Sequence, residues 1–348
     1  MMNSDYDWTV IGAGPAGIAA IGQLLDHQVP ADRIAWIDPA FTVGDFGTIW
    51  RKVPSNTKVS LFLKFLNACE SFHYNTCHEN FALHTLDPDK TCQLYYMADP
   101  LQWVTTRLRE QVRAIQGFVT ALKLTHKHWE VALESGVFTS TNVVLTIGSD
   151  PLTLPAANFE VVPLDITFDP EQLAKVCTKH DTVAVFGSSH SAILIIRNLL
   201  EHCHVKKIIN FYRSPLIYAI YLEDEILFDD TGLKGTTADW ARDHIDGTLP
   251  TNLLRVLSTP ESMKQYLGEC TKSVHAVGFA PRTIVIEGIE KIKHDDRTGI
   301  IAPGLFGLGI AFPEAKTNRF GTVEHRVGLW KFMDYLKRIM PVWLKYHV

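Results

Sequence analysis

Near the start of the chain, the order of apolar and polar positions predicts a strand, a tight turn and a helix. Residues 7–11 form a short apolar run, residues 12–17 read GAGPAG, and a mostly apolar segment continues to about residue 26. Another apolar run follows at residues 33–38. A strand, a helix and a second strand in this order form a βαβ unit, which implies a parallel sheet.

The same pattern recurs in the middle of the chain. An apolar run at residues 182–186 leads into GSSHSA at residues 187–192, a helical segment extends to about residue 202, and another strand is predicted at residues 207–212. Two units of this kind predict an α/β protein with two Rossmann-like domains, each suited to binding a dinucleotide.

Further elements are predicted around these two units. Asp99 followed by Pro100 has the residue types of a helix N-terminus, so we expect a helix from Asp99 to about residue 116. The hydrophobic pattern also predicts a hairpin from residues 118–124 and 128–133, a buried strand at residues 143–147, and a closing helix at residues 322–338.

Three glycines in the first turn each meet a separate requirement of dinucleotide binding. Gly12 permits the tight turn from strand to helix, Gly14 lets the backbone approach a pyrophosphate, and Gly17 allows the helix to pack closely on the strand. Pro15 and Ala16 begin the helix, whose free N–H groups and positive dipole end would face the phosphates.

An acidic residue completes this pattern. Asp38 ends the following strand about 20 residues after Gly17, and its carboxylate can accept hydrogen bonds from the hydroxyls of a ribose. Pro39 follows directly. We expect FAD at this site, although NAD meets the same requirements and stays open on this motif alone.

The second turn keeps its first glycine, Gly187, and has other small residues at the remaining positions: Ser188, Ser189, Ser191 and Ala192. Serine hydroxyls can donate to phosphate oxygens. The next strand ends at Arg213 with no acidic residue at its tip, and a guanidinium there could pair with a 2′-phosphate. This favours NADPH over NADH, unless Arg213 is an ordinary surface residue at a strand end.

With both turns, the chain resembles the flavoproteins that have two dinucleotide-binding domains, above all the flavin-containing and N-hydroxylating monooxygenases. Residues 44–50, GDFGTIW, are similar to the GG-x-W segment of that family, and this resemblance places Trp50 at the cofactor. Residues 53–58, VPSNTK, look like its N-[ST]-x-K segment. The resemblance implies that Asn56 lies beside the flavin and stabilises its oxygenated form, whereas the residues alone also allow a simple turn role.

The resemblance also implies where the chain crosses between domains. Residues 143–151, which include Gly148, resemble the first ATG motif, and residues 276–282 resemble the second. Gly309 and Ile310 end a segment similar to the strand near the flavin, with isoleucine where disulfide reductases have aspartate. The implied organisation has the second domain inserted in the first: an FAD-binding domain of residues 1–160 plus 280–348 and an NADPH-binding domain of residues 161–279.

The resemblance implies an FAD- and NADPH-dependent monooxygenase that transfers oxygen from a flavin hydroperoxide to a small substrate with a nucleophilic nitrogen or sulfur. One family feature is missing, because residues 159–168 lack the histidine of the F-x-G-x-x-x-H linker. Two alternatives therefore stay open: a reductase or electron-transfer enzyme without oxygenation, and a non-catalytic FAD-binding regulatory protein.

Composition and charge restrict the other possibilities. A net charge of −5 gives no sign of nucleic-acid binding, and six scattered cysteines form neither a redox pair nor a metal-binding spacing. No apolar run approaches the ~20 residues that span a bilayer. We therefore expect no metal, no integral membrane insertion and a cytoplasmic location. A homo-oligomer stays open.

Overall fold

The computed structural model describes residues 4–155, 159–223 and 225–346. The largest sheet in this part of the chain comprises β1 (Tyr6–Ile11), β2 (Ile34–Asp38), β5 (Arg113–Gln116), β6 (Val119–Thr125), β7 (His128–Leu133), β8 (Gly136–Leu145), β18 (Val285–Ile286), β19 (Ile300–Ala302) and β20 (Leu305–Gly307). Strand β1 lies between β2 and β8 and is parallel to both.

A second sheet has the order β10 (Glu160–Val161), β16 (Lys272–His275), β11 (Thr182–Phe186), β12 (Lys207–Tyr212) and β15 (Leu253–Leu257). All its pairings are parallel. Because the strands of this sheet fall between two parts of the first sheet in sequence, the second domain is inserted in the first. This confirms the predicted fold class.

Four short ladders connect or flank these sheets: β3 (Pro54–Lys58) with β4 (Thr91–Gln93), β9 (Ser149–Pro151) with β17 (Phe279–Pro281), β13 (Ile220–Tyr221) with β14 (Ile226–Leu227), and β21 (Glu314–Thr317) with β22 (Val323–Arg326). Strands β9 and β17 lie at the two predicted crossings, where the chain leaves the first domain and returns to it.

Helices cover the sheets. Among the described residues they are α1 (Pro15–Asp26), α2 (Gly44–Gly47), α3 (Val59–Leu66), α4 (Tyr95–Gln111), α5 (Leu164–Thr167), α6 (Pro170–Val176), α7 (His190–Asn198), α8 (Gly235–Ala241), α9 (Pro260–Tyr266) and α10 (Leu329–Trp343). Helices α1 and α10 pack together in one hydrophobic core. No helix in the described residues is long and apolar enough to cross a membrane.

The prediction for helix α4 was wrong at both ends. The helix begins at Tyr95 rather than Asp99, so Pro100 lies inside it, and residues 113–116 form strand β5. The apolar stripe explains the earlier start, since Met97 and Leu101 are fully buried four residues apart and extend the helix by one turn towards the N-terminus.

The closing helix also begins later than predicted. Residues 323–326 form β22, which pairs with β21, and α10 starts at Leu329. Gly328, with φ +150°, separates the strand from the helix in a conformation that favours glycine.

Candidate active site

The first glycine turn connects β1 to α1 in the way the sequence predicted. Gly12 has φ +109°, and a Cβ on it would lie 2.5 Å from the carbonyl oxygen of Thr146. The Thr146 hydroxyl donates to the carbonyls of Ile11 and Gly12, at 2.8 and 3.1 Å. Thr146 belongs to the segment that resembles the ATG motif, but sequence reasoning gave it no contact with this turn, which it reaches from the end of β8.

Gly14 is the one glycine of this turn whose Cβ would meet almost no protein. The nearest atom would be the carbonyl oxygen of Val43, 4.0 Å away, whereas a Cβ on Gly17 would overlap the carbonyl of Gly12. Gly14 is the N-cap of α1, and no side chain caps the helix N–H groups. The turn therefore leaves open space beside free donors, which fits a pyrophosphate.

Asp38 is buried at the end of β2 and orients the same turn. One carboxylate oxygen accepts from the N–H of Ala13 at 2.7 Å, and the other accepts from the N–H groups of Ala40 and Phe41 at 2.9 and 2.6 Å. Two oxygens can take about four hydrogen bonds, so three donors leave room for one ribose hydroxyl. Pro39, next to it, is exposed.

The second glycine turn repeats this arrangement between β11 and α7. Gly187 has φ +124°, and its carbonyl accepts from Asn210 Nδ2 at 2.8 Å. Asn210 is fully buried in β12 and in turn accepts from Arg255 Nε at 2.9 Å. Sequence reasoning missed both Asn210 and Arg255, which lie under the turn. Arg213 follows β12 and is exposed, as binding of a 2′-phosphate requires.

Small residues line the second turn. The Ser188 hydroxyl donates to the carbonyl of Ser214 at 3.0 Å, Ser189 is the N-cap of α7, and Ala192 is fully buried against the sheet. No side chain caps α7, so its first N–H groups are free for a ligand. Ser191 lies in the first turn of the helix.

A cavity of about 1220 Å³ lies between the two domains. The residues around it that were predicted from the sequence are Asn56, Ser188, Ser189, Ser191 and Ile310. The structure therefore brings the Asn56 segment, the second turn and the Ile310 segment together. Gly12, Gly14, Asp38 and Arg213 are not among the lining residues. Asn56 itself is exposed on β3, and its Oδ1 accepts from the Thr57 hydroxyl at 3.3 Å.

His190, the first residue of α7, also lines the cavity, although sequence reasoning gave it no role. Its Nδ1 is buried without a partner in the described residues, and its Nε2 lies 3.4 Å from the hydroxyl of Thr237. Burial, helped by the nearby Lys234 cation, lowers the pKa of His190 to about 4. The imidazole is therefore neutral at pH 7.

The remaining predicted positions lie at the domain boundary. Trp50 packs edge-on against Phe168 and Phe279, with ring centroids 5.6 and 6.2 Å apart, so it contacts the second domain. Gly148 has φ +74°, and a Cβ on it would lie 3.2 Å from Arg282.

Gly309, with φ +92°, lies against the start of α1, since a Cβ there would be 2.7 Å from the Cβ of Ala16.

The chain is similar in sequence to monooxygenase AgnR1 of Paecilomyces divaricatus. The two are 35% identical over 381 aligned positions, which cover 96% of this chain and 97% of the relative. This chain belongs to the same family of monooxygenases as this relative. No family model matches it.

Solved structures of flavin-dependent monooxygenases have the same fold as this chain. A flavin-containing monooxygenase from Stenotrophomonas maltophilia gives a TM-score of 0.65 at 13% identity, covering 99% of both chains. The ornithine N-hydroxylase KtzI of Kutzneria sp. 744, solved with reduced FAD, NADP+ and L-ornithine, gives 0.65 at 15% identity, covering 98% of this chain and 99% of that one. The family resemblance predicted from the two turns is confirmed.

Proposed function

We propose that this monooxygenase binds FAD at the first turn and NADPH at the second, with domain boundaries near residues 160 and 280. The observation that carries the proposal is that both glycine turns leave the N–H groups at the start of their helices without a side-chain cap. The cavity between the domains brings Ser188 and Ser189 of the second turn to Asn56 and Ile310 of the first domain. FAD would supply the redox chemistry, and NADPH would supply two electrons. With one proton and O2, the balance is one oxygen atom added to the substrate and one water released.

The protein's own groups would orient and shield this reaction. Asn56 has an amide nitrogen without a partner among the described residues, and a neutral amide can donate a hydrogen bond without adding charge. Gly328, Leu329 and Trp330 bring the start of α10 to the cavity, where the helix dipole stabilises negative charge. A substrate with a nucleophilic nitrogen or sulfur fits this chemistry.

The six cysteines support the predicted cytoplasmic location. All of them are free thiols in the structure, and burial raises the pKa of several, including Cys92 and Cys203, to about 11. Such thiols are inert rather than catalytic.

A reductase that transfers electrons without oxygenation is the second candidate. Residues 159–168 support it, because they lack the linker histidine of related monooxygenases and instead bring Phe168 against Trp50.

One titration separates the two candidates. We expect NADPH added without oxygen to bleach the visible absorbance of the bound flavin, and we expect oxygen then to restore it while a substrate gains one oxygen atom. Quantitative release of hydrogen peroxide with every substrate tested would favour the reductase. A protein that binds no FAD would contradict the whole proposal.

Replacing Arg213 by alanine should raise the Kd for NADPH by about tenfold or more, because a charge-assisted hydrogen bond contributes about 1.5–3 kcal/mol. The Kd for NADH should not change, since NADH has no 2′-phosphate. Both affinities are measured by calorimetry on the FAD-loaded protein with the oxidised forms, NADP+ and NAD+, which differ by the same 2′-phosphate and do not reduce the flavin. Lys206→Ala is the matched control, because Lys206 is also exposed and precedes β12 where Arg213 follows it. Equal losses for NADPH and NADH would remove Arg213 from this role.

A further inference from the structure

The cavity between the domains has polar and charged residues in its wall together with a group of large apolar side chains. Several of the large hydrophobic side chains that the structure exposes line this one space: Ile217, Tyr221, Leu222, Phe279, Ile310 and Val327. Exposed apolar surface gathered in a concave site marks a place where a ligand binds.

Two of these six side chains lie near the proposed cofactor sites. The other four lie in segments away from both glycine turns. Ile310 follows Gly309, which lies against the start of α1, and Phe279 contacts Trp50 at the domain crossing. Ile217, Tyr221 and Leu222 belong to a different segment, around β13, and Val327 precedes α10. This second group gives the cavity an apolar surface that the cofactor-binding turns do not account for.

The positively charged side chains of the cavity wall already form ion pairs with carboxylates of the protein. Lys234 pairs with Asp229 at 2.8 Å, and Lys331 pairs with Asp229 and Asp230 at 2.6 Å each. Asp229 and Lys331 are largely buried, so separating them would leave charges unpaired in a region shielded from water.

The other two cations of the wall are paired as well. Arg326 contacts Glu314 at 2.7 Å, and Lys58 contacts Asp89 at 3.3 Å. Lys234, Lys331 and Arg326 are therefore held in largely buried pairs, and Lys58 is solvent-exposed, where an ion pair with a substrate carboxylate would contribute little. An ammonium group would find Glu223, but this carboxylate is exposed, where an ion pair contributes little.

We propose that the substrate is a neutral, largely apolar molecule that carries an aromatic ring, held against Tyr221, Leu222 and Val327. The residues of the cavity wall favour an aromatic ring in the substrate. Tyr221, Phe279 and Trp330 line the cavity, and aromatic side chains stack on or pack edge-to-face with other rings. This inference rests on the proposed function, and it narrows the substrate class.

Three ligands with one ring system and different charges test it: 1-naphthylmethanol, 1-naphthoate and 1-naphthylmethylammonium. Each is titrated by calorimetry into FAD-loaded protein, once without NADP+ and once with saturating NADP+. We expect the neutral alcohol to bind at least tenfold more tightly than either ion. Equal or tighter binding of an ion, no binding of the alcohol, or binding that NADP+ abolishes would each overturn the inference. The proposed function could still stand in all three cases, because the flavin titration tests it separately.

Two neighbouring positions on β13 supply matched variants. Tyr221 lines the cavity and is 58% exposed, whereas Ile220 is 48% exposed and does not line it. Tyr221→Ser should weaken binding of the alcohol at least fivefold, and Ile220→Ser should leave it unchanged. Equal effects of the two substitutions would overturn the inference. Both side chains are on the surface, and circular dichroism checks that both variants fold.

Discussion

Replacing Gly17 by alanine should destabilise the fold, whereas replacing Gly14 by alanine should leave the fold intact and weaken FAD binding. A Cβ on Gly17 would overlap the backbone carbonyl of Gly12 and lie 2.9 Å from the Thr146 hydroxyl, so α1 would have to move away from β1. We expect a loss of more than about 3 kcal/mol in the free energy of unfolding, the upper end for an overpacked site.

Gly14 differs because its Cβ would project into open space rather than into protein. The added methyl group would occupy the space that we assign to the pyrophosphate, so we expect the Kd for FAD to rise at least about tenfold, a loss of about 1.4 kcal/mol in binding. Unfolding of the FAD-free protein by denaturant measures stability, and quenching of flavin fluorescence measures affinity.

Gly268→Ala is the control for both variants, since a Cβ there would have no heavy atom within 4 Å. It should change neither stability nor FAD affinity. If Gly14→Ala destabilised the FAD-free protein as much as Gly17→Ala does, the two glycines would share a packing role and the assignment of the pyrophosphate site would be wrong.

The two turns were predictable from the sequence because their requirements are local. A positive φ at Gly12 and Gly187, and a close approach at Gly17, restrict those positions to glycine whatever the rest of the fold does. The acidic residue Asp38 follows at a distance set by one helix and one strand. These constraints are independent of long-range packing.

The rest of the site depends on contacts between distant parts of the chain. Thr146 reaches the first turn from just beyond the end of β8, more than 130 positions further along, and Asn210 supports the second turn from the middle of a buried strand. Neither residue type is unusual in its local sequence. The segment of residues 225–231, which lines part of the cavity, was equally hidden, because nothing in its local sequence marks the pairing of Asp229 and Asp230 with Lys331.

A buried carboxylate, Glu324 on β22, which is 7% exposed, helps to hold that segment to the first domain beside the Lys331 ion pairs. Its oxygens accept from the N–H groups of Asp229, Asp230 and Thr231 at 3.1, 3.2 and 3.2 Å, and from the Thr231 hydroxyl at 2.7 Å. Beside it, burial alone would raise the pKa of Asp229, but Lys234 and Lys331 lower it further than burial raises it. The Asp229 carboxyl is therefore ionised when it pairs with Lys331 of the first domain.

Glu324→Ala should release this loop. Three backbone N–H groups would lose their acceptor, so we expect the free energy of unfolding to fall by about 2–4 kcal/mol, and we expect faster hydrogen exchange at residues 229–231. Glu324→Gln keeps one acceptor oxygen and should lose less. Glu287→Ala is the control, because Glu287 pairs with Lys123 at 3.0 Å on the exposed surface, where such a pair contributes no more than about 1 kcal/mol.

Because the loop also carries residues of the cavity wall, Glu324→Ala should weaken ligand binding in the cavity while leaving FAD affinity at the first turn unchanged. Unchanged exchange at residues 229–231 would show that Lys331 alone is enough to hold the loop.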